Sequence, residues 1–196
     1  MPDDERPLAA LLPALRRGVP IDEVKAAARA TAADPQRIQA LLDLLIHPSG
    51  FSRIQRQKAA WVVHHAFQLD ERAFLPLRAE LGHALDATED PSALRELLKV
   101  LASPLWADAE TEVQRTDALE LAAGLLYVED VPVAVHYAAM QTLQSRAQCA
   151  SEFRESLEAL NALHGRLGAE NAPLRTCAER YIKRFRQKLA RTKSPS

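Results

Sequence analysis

The sequence is poor in the residues that build strands, sharp turns and reactive centres. Its 196 residues include 6 glycines, 2 cysteines and only 5% aromatics. Few β-branched residues argue against a chain of many strands, whereas the dominant alanine and leucine carry the lowest helix cost. The cysteines, Cys149 and Cys177, have no metal-ligand spacing. A lone pair of this kind suits a reducing compartment, with buried thiols expected. No apolar run approaches the roughly 20 residues that span a bilayer. The N-terminus, MPDDERPLAALLPALRRG, begins acidic and lacks the basic start and apolar run of a secretory signal. A soluble, cytoplasmic protein is expected. No Gly-x-Ser-x-Gly elbow, no cysteine beside a histidine and no glycine-rich phosphate loop is present, so neither a catalytic constellation nor a cofactor is expected.

What is there is apolar residues at 47% and charged residues at 26%, the mix of a soluble globular chain with a sizeable core. The net charge of −1 is unevenly spread. From Leu174 to Ser196 there are 8 Lys/Arg against one acid, Glu179, so this end carries +7 and the remainder −8. Such a dipolar chain either steers an anionic partner to one end or has solvated ends.

Apolar residues recur at helical spacing near 8–17, 21–32, 35–46, 52–69, 71–86, 91–103, 110–127, 132–148, 152–168 and 173–190. Asp34-Pro35 and Asp90-Pro91 place a capping carboxylate before a first-turn proline, and Val131-Pro132 and Ala172-Pro173 also start helices with proline. Short connections predict antiparallel neighbours. An internal repeat runs through the pattern: QRQKAAWVV from Gln55, LRELLKVLA from Leu94, VHYAAMQTL from Val135 and LRTCAERYI from Leu174, offset by 39, 41 and 39 residues. Each carries a base second (Arg56, Arg95, His136, Arg175) and a helix former four after the start (Ala59, Leu98, Ala139, Ala178). Asp90, Asp130 and Glu170 precede the last three bases.

This pattern resembles the HEAT-like repeat, a two-helix unit of about 40 residues. The resemblance covers Asp34 to Leu189; the first unit departs from it, with Gln55 in place of an apolar residue and no acid before Arg56. QKAAWVVHHA, VPVAVHYAAMQTL and APLRTCAERYIKR are similar to a group of uncharacterised bacterial HEAT-like proteins. The resemblance implies an all-α fold, a right-handed α-α superhelix of antiparallel helix pairs, with each upstream acid paired to its base. One solenoid domain over 1–190 is expected: capping helices over 1–33, four helix pairs over 34–190, and a disordered basic tail at 191–196.

On a helical wheel of AAWVVHHAF, residues Ala59, Ala60, Val62, Val63, Ala66, Phe67 and Leu69 form one apolar arc. Trp61 lies opposite, flanked by His64 and His65, with Gln57 and Gln68 completing that face. Adjacent histidines diverge by about 100° and do not share a metal easily, so no metal site is expected. The face is either solvated, with Trp61 covered by the N-terminal helices, or a partner surface. The equivalent positions are Glu96, Val100 and Ser103 in the second repeat. In the third they are Tyr137, Gln141, Gln144, Ser145 and Gln148, and in the fourth Thr176, Arg180, Lys183, Arg184 and Gln187. In a HEAT-like solenoid this face lines the concave surface. The candidate partner-binding residues are therefore Trp61, His64, His65, Tyr137, Gln141, Gln144, Arg180, Lys183 and Arg184.

The leading expectation is a non-enzymatic module for a protein or peptide partner. The alternative is nucleic-acid binding on the architecture of the HEAT-like DNA glycosylases, using the basic fourth repeat. Against it, the stretch from Glu89 to Asp130 holds ten acids, opposed only by Arg95, Lys99 and Arg115, and Glu96 is the only in-register carboxylate for catalysis. Self-association of acidic middle and basic end is a third possibility. Trp106, in LWADAETE, is expected to plug its own core, and the single histidines His47, His83 and His164 to complement helix dipoles.

Overall fold

The computed structural model describes residues 6–106 and 111–192, and all regular structure within them is helical. Residues 107–110 of LWADAETE and 193–196 of the expected tail lie outside the described residues. The chain divides between Val100 and Leu101 into two compact units. Among the described residues no helix is long and apolar enough to cross a membrane.

The first unit contains α1 (Arg6–Leu11), α2 (Ile21–Ala32), α3 (Pro35–Ile46), α4 (Arg53–Leu69), α5 (Arg78–Asp86) and most of α6 (Pro91–Leu101). Its boundaries follow from local chemistry. Asp34 caps α3 by accepting from the Gln36 amide at 3.0 Å, with Pro35 in the first turn. Ser52 and Gln55 form a reciprocal capping box at the start of α4. Two expected helices are cut short by proline, which has no N–H to donate and crowds the preceding turn. Expected helix 8–17 ends at Leu11 and continues as a 3-10 turn, Leu12–Leu15, around Pro13. Expected helix 71–86 begins as a 3-10 segment, Glu71–Leu77, that contains Pro76.

Within this unit each helix packs on the next or next-but-one in sequence: α1 on α3, α2 on α3 and α4, α3 on α4 and α5. The wheel of α4 places its core well, since Ala59, Ala60, Val62, Val63, Ala66 and Phe67 are all buried. Leu69 is the exception at 58% exposed, because it is the last residue of the helix and has nothing above it.

The second unit contains α7 (Glu112–Tyr127), α8 (Val133–Arg146), α9 (Ala150–Arg166) and α10 (Ala172–Thr192). α7 packs on α8 and α9, and α10 on α8 and α9. Leu126, Met140, Leu143, Leu160, Leu163 and Phe185 fill the core, and the Phe153 and Phe185 rings sit 6.0 Å apart. α9 starts at Ala150, two residues earlier than its pattern predicts, because Glu152 folds back to accept from the Gln148 and Cys149 amides at 2.6 and 3.1 Å. Cys149 is thereby placed at the helix entrance and is exposed, contrary to the expected buried thiol; Cys177 is half-buried. Arg191 and Thr192, expected in a tail, continue α10.

The residues four positions after each of the four similar starts, Ala59, Leu98, Ala139 and Ala178, are all fully buried. The expected acid–base pairing within each repeat differs. Asp90 caps α6 and receives Arg53 (2.6 Å) and Gln57 (3.1 Å) from α4. Arg95, five residues further along, points to Glu96, and Arg175 lies beside Glu179. The reason is geometric, since a capping carboxylate faces the first turn while a residue five positions on lies about 140° around the helix. Trp106 is buried, as expected.

Candidate interaction site

In the first unit the polar face of α4 forms one wall of an open depression of about 340 Å³. Gln57, Lys58 and Trp61 project from α4, Val19, Ile21 and Val24 approach from the α2 side, and Ser92, Arg95 and Glu96 come from α6. The N-terminal segment therefore packs beside Trp61, whose side chain is half-buried. One turn on, the His65 ring lies against it, tilted by 49° with ring centroids 3.7 Å apart. Positions i and i+4 lie on the same helix face, which is what brings these rings together.

Beneath the two rings lies a charge cluster. Glu96 is 3% exposed and its carboxylate is surrounded by three bases. Nδ1 of His64 lies 2.8 Å from Oε2, Lys99 Nζ lies 2.9 Å from the same oxygen, and Arg95 Nε donates to Oε1 at 2.8 Å. Burial alone raises a carboxyl pKa, yet the hydrogen bonds from His64, Lys99 and Arg95 outweigh it and pull Glu96 down to about 2. The carboxylate is therefore ionised near neutrality and has no proton to donate. His65 is displaced the other way: burial, and then the neighbouring His64, hold its imidazole below the ordinary range. The arrangement suits the fixing of an indole at the rim of a depression. Among the described residues no group of three or more His, Cys, Asp or Glu side chains is placed to hold a metal ion.

The histidines thus divide. His64 is 8% exposed and faces inward to Glu96, while His65 remains at the rim. The second-repeat positions do not extend a solvent-facing stripe, since Glu96, Val100 and Ser103 are all buried. The residues that sequence reasoning missed are Arg95, Lys99 and Ile21, and it placed Glu96 on the surface. The available signal was a single acid flanked by two bases, Arg95 and Lys99, within LRELLKVLA.

In the second unit Tyr137 is half-buried against the core, and Gln141 is exposed one turn further along α8. Gln144 is the contact point with α10: its Oε1 accepts from Arg184 Nη1 at 2.6 Å and its carbonyl from Lys188 Nζ at 3.2 Å. The Arg184 guanidinium also lies 5.5 Å from the Tyr181 ring centre. Arg180 and Lys183 are both exposed, but Lys183 borders a groove on the α9 side with Asn161 and His164. The structure therefore joins Gln144 to Arg184 and sets Lys183 on the other flank of the helix. Compared with known proteins, the chain matches no protein-family model, no curated protein and no solved structure.

Proposed function

We infer that the chain is a non-enzymatic interaction module of the HEAT-like solenoid type, which takes a protein or peptide partner at the depression around Trp61. One observation carries this reading: a half-buried indole lines an open depression, with the His65 ring against it and a buried, fully paired carboxylate close by. Tryptophan in a partly desolvated pocket is a frequent anchor of protein interfaces. Ile21, 54% exposed on the adjoining wall, adds apolar surface to it. The repeat offsets of 39, 41 and 39 residues and the next-but-one packing within each unit support the HEAT-like assignment. The locked state of Glu96 speaks against acid–base chemistry at this place.

The test is site-specific photo-crosslinking of the full chain in lysate. A photoreactive residue at Lys58, within the depression, is expected to give a discrete protein adduct that disappears in Trp61→Ala. The same group at Lys25, exposed on α2, serves as the reference. Identical adducts from both positions, or adducts indifferent to Trp61→Ala, would remove the depression from consideration as the partner site.

A further inference from the structure

The largest concentration of unneutralised charge lies on α10. Between Ala172 and Thr192 there are seven Lys/Arg and one acid, a net +6 on a helix of a protein whose total is −1. The acid, Glu179, is already engaged by His164 at 3.0 Å and Arg175 at 3.7 Å. Lys188 is engaged by the Gln144 carbonyl at 3.2 Å, and the other cations form two rows. Lys183 and Arg186 border the groove toward α9. Arg180, Arg184 and Arg191 fall within about 40° of one another on the helix wheel, and Arg184 reaches α8. All three are exposed, and none has an acidic partner among the described residues. The row runs from Arg180 to Arg191, about 16 Å along the helix. Beside it stand hydrogen-bonding and aromatic groups: Gln141 and Gln144 one turn apart on α8, and Tyr181 under the Arg184 guanidinium.

We propose that this α8–α10 face of the second unit binds single-stranded nucleic acid, with phosphates on Arg180, Arg184 and Arg191 and bases against the neighbouring glutamine and tyrosine side chains. All three cations of the row are arginines, whose planar fork matches phosphate oxygens and stacks on bases. A single strand presents its base edges to such side chains, whereas a duplex conceals them. A docked protein segment draws its affinity from apolar anchors, and none of the exposed large apolar side chains lies on α10. The face belongs to the second unit and the Trp61 depression to the first, and the proposal stands independently of the function proposed for that depression.

The experiment is a titration of the full chain against a fluorescent 20-nucleotide oligo-dT, a duplex of equal length and poly-glutamate, each at 50 and 200 mM salt. Three phosphates neutralised at about −0.7 each give a slope of log affinity against log salt near −2, so the higher salt weakens oligo-dT binding roughly 20-fold. The variant Arg180→Gln/Arg184→Gln/Arg191→Gln is expected to lose at least tenfold in affinity and most of the salt slope. Lys183→Gln/Arg186→Gln, on the other flank, is expected to stay within about threefold of wild type. Circular dichroism checks that both variants retain the wild-type helix content. Absence of saturable oligo-dT binding overturns the proposal, as does duplex binding tighter than single-strand binding. Poly-glutamate binding as tight as oligo-dT assigns the face to an acidic protein instead. Equal losses in both variants reduce it to diffuse charge and overturn the assigned row.

Discussion

Replacing Glu96 by glutamine removes the one negative charge that His64, Arg95 and Lys99 share, while nearly preserving side-chain shape. The pKa of Glu96 falls from an ordinary 4.5 to about 2 on folding. At 1.36 kcal/mol per unit this ties about 3 kcal/mol of stability to its ionised form at neutral pH. The depressed folded value sets the sign. The contribution is fully present above pH 4.5 and is lost as the pH falls toward 2. At pH 3, roughly 2 kcal/mol of it has gone. Arg95 and Lys99 are more than a third exposed, so losing their acid partner adds little beyond this.

Urea unfolding of wild type and Glu96→Gln, followed by circular dichroism and tryptophan emission, measures this at pH 7 and pH 3. The expected result is a loss of about 3 kcal/mol at pH 7 that narrows to about 1 at pH 3. Asp90 and Glu152 are also held below the ordinary carboxylate range by their partners, so both proteins weaken in acid. The difference between them isolates Glu96. A variant as stable as wild type at pH 7, or a deficit equal at both pH values, would refute the view that the cluster holds this ionised carboxylate.

The Trp61–His65 contact gives a second prediction: imidazolium beside an indole quenches its emission, so fluorescence is expected to drop as His65 protonates. Because burial and His64 lower the His65 pKa, the midpoint should fall below pH 6.5, and both His65→Ala and Trp61→Phe should abolish the step. Leu160 is fully buried in the core of the second unit, so Leu160→Ala is expected to cost about 2–5 kcal/mol in urea unfolding. A loss under 1 kcal/mol would show that this core closes around the gap.

Helix positions were legible in the sequence because the signals are local. An Asp-Pro entrance at Asp34-Pro35 and the apolar arc of α4 each depend on neighbours within a turn or two, and both appear where their chemistry requires. The misplacements have equally local causes. Pro13 and Pro76 interrupt an apolar periodicity that ignores the missing amide donor. The start of α9 moved because Glu152 satisfies two backbone amides at once, a preference that apolar spacing does not register.

The site was less legible, because its determining contact joins residues 32 positions apart. A wheel assigns His64 to the polar side of α4, and that is where it lies; what the wheel lacks is the identity of the helix facing that side. Aligning the repeats by register equates Glu96 with Gln57, which implies that both meet solvent. Within each unit, however, helices pack on the next but one, and a long polar side chain on one helix then meets that neighbour. That is how Gln57 and Arg53 reach Asp90, how Arg184 reaches Gln144, and how Arg115 reaches Glu152. The pairs that cross from one helix pair to the next are separated by 32 to 40 residues, close to the spacing of the similar segments in the sequence. Polar residues of one repeat therefore need to be read against the following repeat, offset by nearly one full period. On that reading Glu96 marks the place where His64 of α4 reaches α6, beside Arg95 and Lys99 of α6 itself.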